Sequence, residues 1–259
     1  MPEGDTIHRT ADTLRTALRG ATIVRFETPR LRVSGPAAGE RLDDVEARGK
    51  HLLIRCSGGL TVHTHMRMSG SWHVYRPGER WRRSRGAMVL LLETEETLAV
   101  CFSAPVVEVL RPAELARHPR LTALGPDLCL PAPDLDEVTR RLDRLSLVAP
   151  GVEIGVALLD QTVAAGIGNV YRCEVAWACG VDPFRRLVDV DDGVRRSLYA
   201  TAHRLLRANL SNGPRSTVPQ GLAVCERAGR PCRRCGTAIE ARRQGTQARV
   251  VWWCPACQT

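Results

Sequence analysis

Pro2 and Glu3 place an imino acid beside a carboxylic acid at the beginning of the sequence. Removal of Met1 would free the proline nitrogen as a secondary amine. An α-amino group titrates near pH 7.7–8.0, against about 10.4 for lysine. Part of it is therefore unprotonated and nucleophilic near neutrality. Such an amine adds to an aldehyde-level carbon and gives an iminium, an electron sink for elimination. Glu3 is placed to supply or accept the accompanying proton. The plain alternative is a helix-start proline, whose fixed φ and missing N–H suit a first turn.

Lys50 is the second chemical candidate. The chain has 37 Lys and Arg residues, and Lys50 is the one lysine among them. A lysine kept where every other cation is arginine suggests a position needing a compact ammonium that can lose its proton. The third candidate is a metal centre. Cys232-x-x-Cys235 and Cys254-x-x-Cys257 form two knuckles that can present four thiolates to one Zn²⁺. Four protein ligands leave no open position, so the expected ion is structural. The other six cysteines are scattered among mostly apolar neighbours and read as reduced core thiols.

These groups need elements to hold them. Residues 5–18 read as a helix capped by Asp5 or Thr6, with Ile7, Ala11, Leu14 and Leu18 on one face. Seven short β-type runs follow between residues 21 and 110, the pattern of an antiparallel sandwich or barrel. A proline-rich stretch leads into helical patterns at 134–147, 152–165, 169–180 and 191–210. In "AAGIGNVYR", Gly166 and Gly168 allow a tight path, and Asn169 reads as the cap of the next helix. Exposed amides at such a terminus favour an anion. Between the knuckles, "AIEARRQGTQARVVWW" reads as a hairpin turning at Gly245, and residues 223–259 carry seven arginines against two glutamates.

The resulting fold class is α+β and multidomain. The expected boundaries are 1–112 for the helix and sandwich, 113–132 for a linker, 133–222 for the helical domain and 223–259 for the metal hairpin. A net charge of +9 makes nucleic acid the first candidate partner. No apolar run is long enough to span a membrane, and no signal-peptide pattern opens the sequence, so a cytoplasmic location is expected.

The pieces "PEG", "RGKHL", "LLDQTVAAGIGNVYRCEVAW", "GRPCRRCG" and "ARVVWWCPACQ" occur in order from end to end. With them the chain resembles the formamidopyrimidine-DNA glycosylase / endonuclease VIII family, and most of all its actinobacterial endonuclease VIII type. The resemblance implies a bifunctional glycosylase and AP lyase of base excision repair, favouring oxidised pyrimidines. It implies a helix–two-turns–helix domain, one zinc per chain and a monomer acting on damaged double-stranded DNA, with single-stranded or forked DNA as further forms. It makes Pro2 the Schiff-base nucleophile, Glu3 the proton donor and acceptor, and Lys50 an aid to β-elimination. Asn169 and Arg249 would grip phosphates, with Arg249 linked to δ-elimination. His65, Arg67 and Met68 fall in the segment that meets DNA, Met68 as a wedge filling the space of an extruded base. Met68 reads otherwise as a core methionine. The sequence departs from the family at Asp5-Thr6, at Arg67 and Ser69 beside the wedge, at Cys225, and at "SAPVVE" (103–108), which lacks a second wedge loop. Two rival readings are an 8-oxoguanine and formamidopyrimidine enzyme of the same family, and a zinc-ribbon protein that binds damaged DNA without catalysis.

Overall fold

The computed structural model describes residues 2–29, 34–211 and 213–259. Met1, whose removal is the expectation that would free the Pro2 nitrogen, lies outside the described residues. The chain divides into two compact units, Met1–Thr122 and Ala123–Thr259.

In the first unit, helix α1 (Gly4–Leu18) precedes eight strands: β1 (Arg25–Glu27), β2 (Leu42–Arg48), β3 (His51–Cys56), β4 (Thr61–His65), β5 (Ser71–Tyr75), β6 (Met88–Glu93), β7 (Leu98–Phe102) and β8 (Val106–Leu110). They form two antiparallel sheets of four, ordered β1-β6-β7-β5 and β2-β3-β4-β8. Leu52, Ile54 and Val62 from one sheet meet Leu90, Leu92, Ala99 and Cys101 from the other in a common core. Ile7, Ala11, Leu14 and Leu18 of α1 enter the same core, which fixes the helix start as firmly as the strands. The unit ends with two short helices, α2 (Pro112–Ala116) and α3 (Pro119–Thr122), in the stretch expected to be a linker.

Two details differ from the sequence reading here. Strand β2 was hidden by Asp43, Asp44 and Glu46, because only Leu42 and Val45 are buried along it. Helix α1 begins one residue earlier than expected, with Glu3 at its N-cap and no side chain bonded there. Asp5 therefore lies inside the first turn. It is buried, accepts a hydrogen bond from Thr6 Oγ1 at 3.2 Å and faces the Arg9 guanidinium at 3.9 Å.

The second unit contains α4 (Leu135–Val148), α5 (Ile154–Ala157), α6 (Asn169–Cys179) and α7 (Asp192–Ala208), then the hairpin β9 (Glu240–Gln244) and β10 (Arg249–Trp253). Tyr171 and Val175 of α6 pack with Leu198, Tyr199 and Leu206 of α7 in its main core. The apolar run 152–165 was expected to be one helix, but only a single turn forms. Side chains replace the missing helical bonds. Gln161 Nε2 donates to the Leu159 and Ile167 carbonyls at 2.7 and 3.0 Å, and Gln161 Oε1 accepts from the Gly166 amide at 3.1 Å. Asp160 accepts from the Thr162 amide and hydroxyl at 2.8 and 2.7 Å. A buried non-helical backbone is tolerated because its polar groups are matched this way.

Candidate active site and metal centre

Pro2 directly precedes α1, partly exposed, while Glu3 behind it is fully buried. The Glu3 carbonyl accepts the Ile7 amide at 3.0 Å, closing the first helical turn, but its carboxylate takes no part in capping. Lys50 occupies the two-residue turn Gly49-Lys50 between β2 and β3, where Arg48 pairs with His51. Gly49 has φ +57° there, a left-handed conformation that glycine adopts without strain.

The turn between β4 and β5 carries Arg67, Met68 and Ser69. Arg67 has φ +45°, and its amide bonds to His65 Nδ1 at 3.2 Å. Met68 is 77% exposed, so the reading of it as a core methionine fails; Met66 fills the core instead.

His65, a candidate from the sequence, sits beside three histidines that the sequence does not single out, His51, His63 and His118. The His51 ring meets His65 edge-on at 4.6 Å and lies 2.8 Å, Nδ1 to Nε2, from His63. His63 Nδ1 is 2.7 Å and His118 Nε2 3.0 Å from the same oxygen of Glu108. The Leu121 amide donates to His118 Nδ1 at 3.2 Å, so Nε2 is the nitrogen carrying that ring's proton. Glu108 thus accepts from His118 and from His63 Nδ1, and His63 Nε2 accepts from His51. Burial disfavours the charged form of His51, His63 and His65. His51 is pushed down to about 2 by burial and by the neighbouring histidines, and His65 to about 4 by burial and by the Lys50 charge. His63 is lowered too, chiefly by burial, although Glu108 works against the shift.

In the second unit Asn169 is the first residue of α6, and Gly168 holds the N-cap position expected for it. Released from capping, Asn169 Nδ2 donates to the Val250 carbonyl at 2.9 Å, and its Oδ1 accepts from Arg172. Arg172, fully buried, also donates to Val250 O at 3.3 Å and to Gln244 Oε1 at 3.0 Å. Asn169 is thereby tied to the strand residue next to Arg249. Arg249 is partly exposed and steadied by Gln247 Oε1 at 2.8 Å. Glu174, one turn further along α6, is fully buried. Its carboxylate accepts the amides of Ala223, Val224 and Cys225 at 2.7, 2.9 and 2.8 Å, and the Thr217 hydroxyl. Arg172, Glu174 and Gln244 escaped the sequence reading because polar residues in an apolar helix or a charged hairpin give no periodic signal. Cys225 is buried against Cys173, which accounts for a small residue there.

The four C-terminal cysteines converge. One ligand atom from each of Cys232, Cys235, Cys254 and Cys257 lies within 4.8 Å of all the others. The Cys232–Cys257 and Cys235–Cys254 sulfurs are 3.9 and 3.5 Å apart. Four thiolates about 2.3 Å from a tetrahedral ion would stand about 3.8 Å apart, so the donors fit a metal. Trp177 Nε1 and the Arg234 amide both point at Cys232 Sγ from 3.4 Å.

The first unit is thus a sandwich with one face of an N-terminal helix in its core, and the second is a set of helices followed by a hairpin and a four-cysteine cluster. Residues 1–105 match the formamidopyrimidine-DNA glycosylase N-terminal domain, and residues 124–219 match the H2TH domain of the same family. The chain belongs to this family. It is 42% identical over 266 residues to a probable endonuclease 8 2 of Streptomyces coelicolor, covering all of this chain and 94% of that protein. It is 38% identical to the DNA-(apurinic or apyrimidinic site) lyase Nei2 of Mycolicibacterium smegmatis, covering 100% of this chain and 99% of the relative. Its fold is that of the Lactococcus lactis Fpg solved with an abasic site containing DNA, at a TM-score of 0.84, 19% identity and full coverage of both chains. Among the described residues, no helix is long and apolar enough to cross a membrane.

Proposed function

We propose that this protein is a bifunctional DNA glycosylase and AP lyase that removes oxidised bases, pyrimidines foremost, from damaged double-stranded DNA. The observation that carries the reading is the buried Glu3 carboxylate behind Pro2, at a helix start locked into the sandwich core. In this reading the freed Pro2 nitrogen attacks C1′ of an extruded nucleotide. The C1′–N bond to the base breaks, and the base leaves with a proton that Glu3 supplies; Glu3 then takes the proton of the attached proline nitrogen and delivers it to O4′ as the C1′–O4′ bond opens, leaving the iminium. The iminium then loses a C2′ proton and the 3′ phosphate departs; a second elimination releases the 5′ phosphate, and water returns the amine. Lys50 assists the first elimination and Arg249 the second. Asn169 and Arg249 hold phosphates. Met68 fills the vacated stack, with Arg67 and His65 shaping its turn.

The named relatives support the endonuclease VIII type. So does the turn after β7, where Ser103, Ala104 and Pro105 supply neither the arginine nor the aromatic of a second wedge loop. The cysteines would hold one structural Zn²⁺ that closes the hairpin bearing Arg249. The enzyme would act as a monomer in the cytoplasm, where its DNA lies.

Borohydride trapping on an abasic-site duplex tests the nucleophile. Wild type should form a covalent adduct and Pro2→Gly should lose it. Equal trapping by Pro2→Gly would transfer the role to another amine, and no adduct with wild type would leave a DNA-binding protein without lyase chemistry. Glu3→Gln should slow base release by about 10²–10⁴-fold while still cleaving a preformed abasic site. Turnover of thymine glycol against 8-oxoguanine duplexes decides the lesion class.

A further inference from the structure

The loop joining β5 to β6 contributes to none of the groups above. Residues 76–86 read "RPGERWRRSRG", with Arg76, Arg80, Arg82, Arg83 and Arg85 against the single acid Glu79. All five arginines are exposed. None forms an ion pair among the described residues, whereas Arg15, Arg25, Arg41 and Arg55 of the same unit each face a carboxylate at 2.7–2.9 Å. Glu79 does not neutralise the group at close range, because its carboxylate accepts the Arg76 amide at 3.0 Å.

The loop is anchored to the sheet. Trp81 packs edge-on against Phe102 at 5.6 Å and stacks on Tyr75 at 6.4 Å. The Tyr75 hydroxyl accepts the Arg82 amide at 3.0 Å, and Ser84 Oγ accepts the Gly86 amide at 3.3 Å. The Arg85 guanidinium lies 4.9 Å from the Trp81 ring centroid and Arg82 5.9 Å from that of Tyr75. Arg83 Nη1 reaches the Ser69 carbonyl at 3.5 Å, beside Met68. The anchored loop therefore presents five exposed arginines, with Arg82 and Arg85 beside its aromatic rings and Arg83 reaching the exposed methionine turn.

We propose that this loop is a second phosphate-contact surface, binding the phosphodiester backbone of DNA independently of the damaged base. The proposal rests on the reading of the protein as a DNA enzyme. Arginine forks match phosphate oxygens two at a time, and a prearranged cluster loses little side-chain freedom on binding. The Trp81 face is covered by Arg85, so the loop offers charge and not a stacking platform. Its contacts are then with the backbone and carry no base preference.

The test uses the full-length protein and a duplex with a tetrahydrofuran abasic analogue, with affinity followed by fluorescence anisotropy across a salt series. Each phosphate contact contributes about 0.9 to the slope of log affinity against log salt. R76Q/R80Q/R83Q should lower that slope by about 2 to 3. R25Q/R41Q/R55Q, which removes the same charge from paired positions, should leave it within about 0.5 of wild type. A wild-type slope in the first variant overturns the proposal, and so does an equal loss in the control. An acidic protein as the true ligand would show itself as an unchanged DNA slope. The two readings fail separately: a wild type that shows the slope difference but traps no adduct sinks the lyase reading and leaves the loop standing.

Discussion

Acidification should loosen the first unit well before its carboxylates titrate. The perturbation is a fall from about pH 7 to about pH 5, and the responding groups are His51 and His65, held in the fold at about 2 and about 4. In the unfolded chain both titrate near 6.5. Above that value both states are neutral and the histidines leave stability unchanged. Below it the unfolded state binds protons that the folded state refuses, so stability falls as pH falls. Each histidine then removes about 1.4 kcal/mol per pH unit, or about 2.7 for the pair, until the fold itself accepts the proton. His63, lowered by burial, acts in the same direction. Asp44 and Glu108, whose values are also lowered, lose their contribution only below their unfolded values of 3.8 and 4.5, outside this window. A fall of a few kcal/mol is large beside a total stability of about 5–15 kcal/mol. Pulse hydrogen exchange of peptides spanning residues 51–65, across urea series at several pH values, measures the slope. His51→Gln, which keeps a donor toward His63 Nε2, should reduce it by about 1.4 kcal/mol per pH unit. Stability that stays flat down to about pH 5, or a slope the variant does not reduce, would refute the reasoning.

Three further outcomes follow from the geometry. Glu174→Ala strands the Ala223, Val224 and Cys225 amides at about 1–3 kcal/mol each; urea unfolding of the second unit should show a loss of at least about 3 kcal/mol, and a loss below about 1 would contradict the network. Lys50→Arg should keep fold and DNA affinity yet slow strand cleavage in a gel assay; unchanged cleavage would make the lone lysine an accident. Met68→Ala should leave the melting temperature within about a degree, since surface truncations are nearly neutral. It should slow excision of a base-paired lesion more than cleavage at an abasic site, and equal rates on both would remove Met68 from base extrusion.

Much of this architecture is legible in the sequence, because periodicity and punctuation report what is buried. The face of α1, the strands β3 to β8 and the hairpin turn at Gly245 all follow from apolar spacing and glycine. The cysteine spacing reports convergence in the same way, since two knuckles of that form leave few other geometries. What stayed hidden is where polar side chains replace a pattern. Strand β2 carries acids on its open face. Residues 158–165 look helical in composition but are held by Gln161 and Asp160. Asn169 has the chemistry of a cap, yet a glycine took that place and left its amide free to bond a strand 81 residues away. The set of neighbouring histidines became visible only when β3, β4 and the segment after α2 came together, for apart from His63 and His65, two residues apart on β4, no local spacing links its members.

The Val250 carbonyl accepts from both Asn169 and Arg172, and Glu174 on the same helix gathers the amides that lead into the first knuckle. The hairpin is therefore not an interchangeable cassette. A chimera that imports residues 223–259 from a relative would inherit the four cysteines but not their foundation, which is written into α6 some fifty residues earlier. Helix and hairpin must be exchanged as one piece, and drift at Arg172, Glu174 or Gln244 is constrained by a partner far along the chain. The unit of inheritance here is larger than the four-cysteine cluster itself.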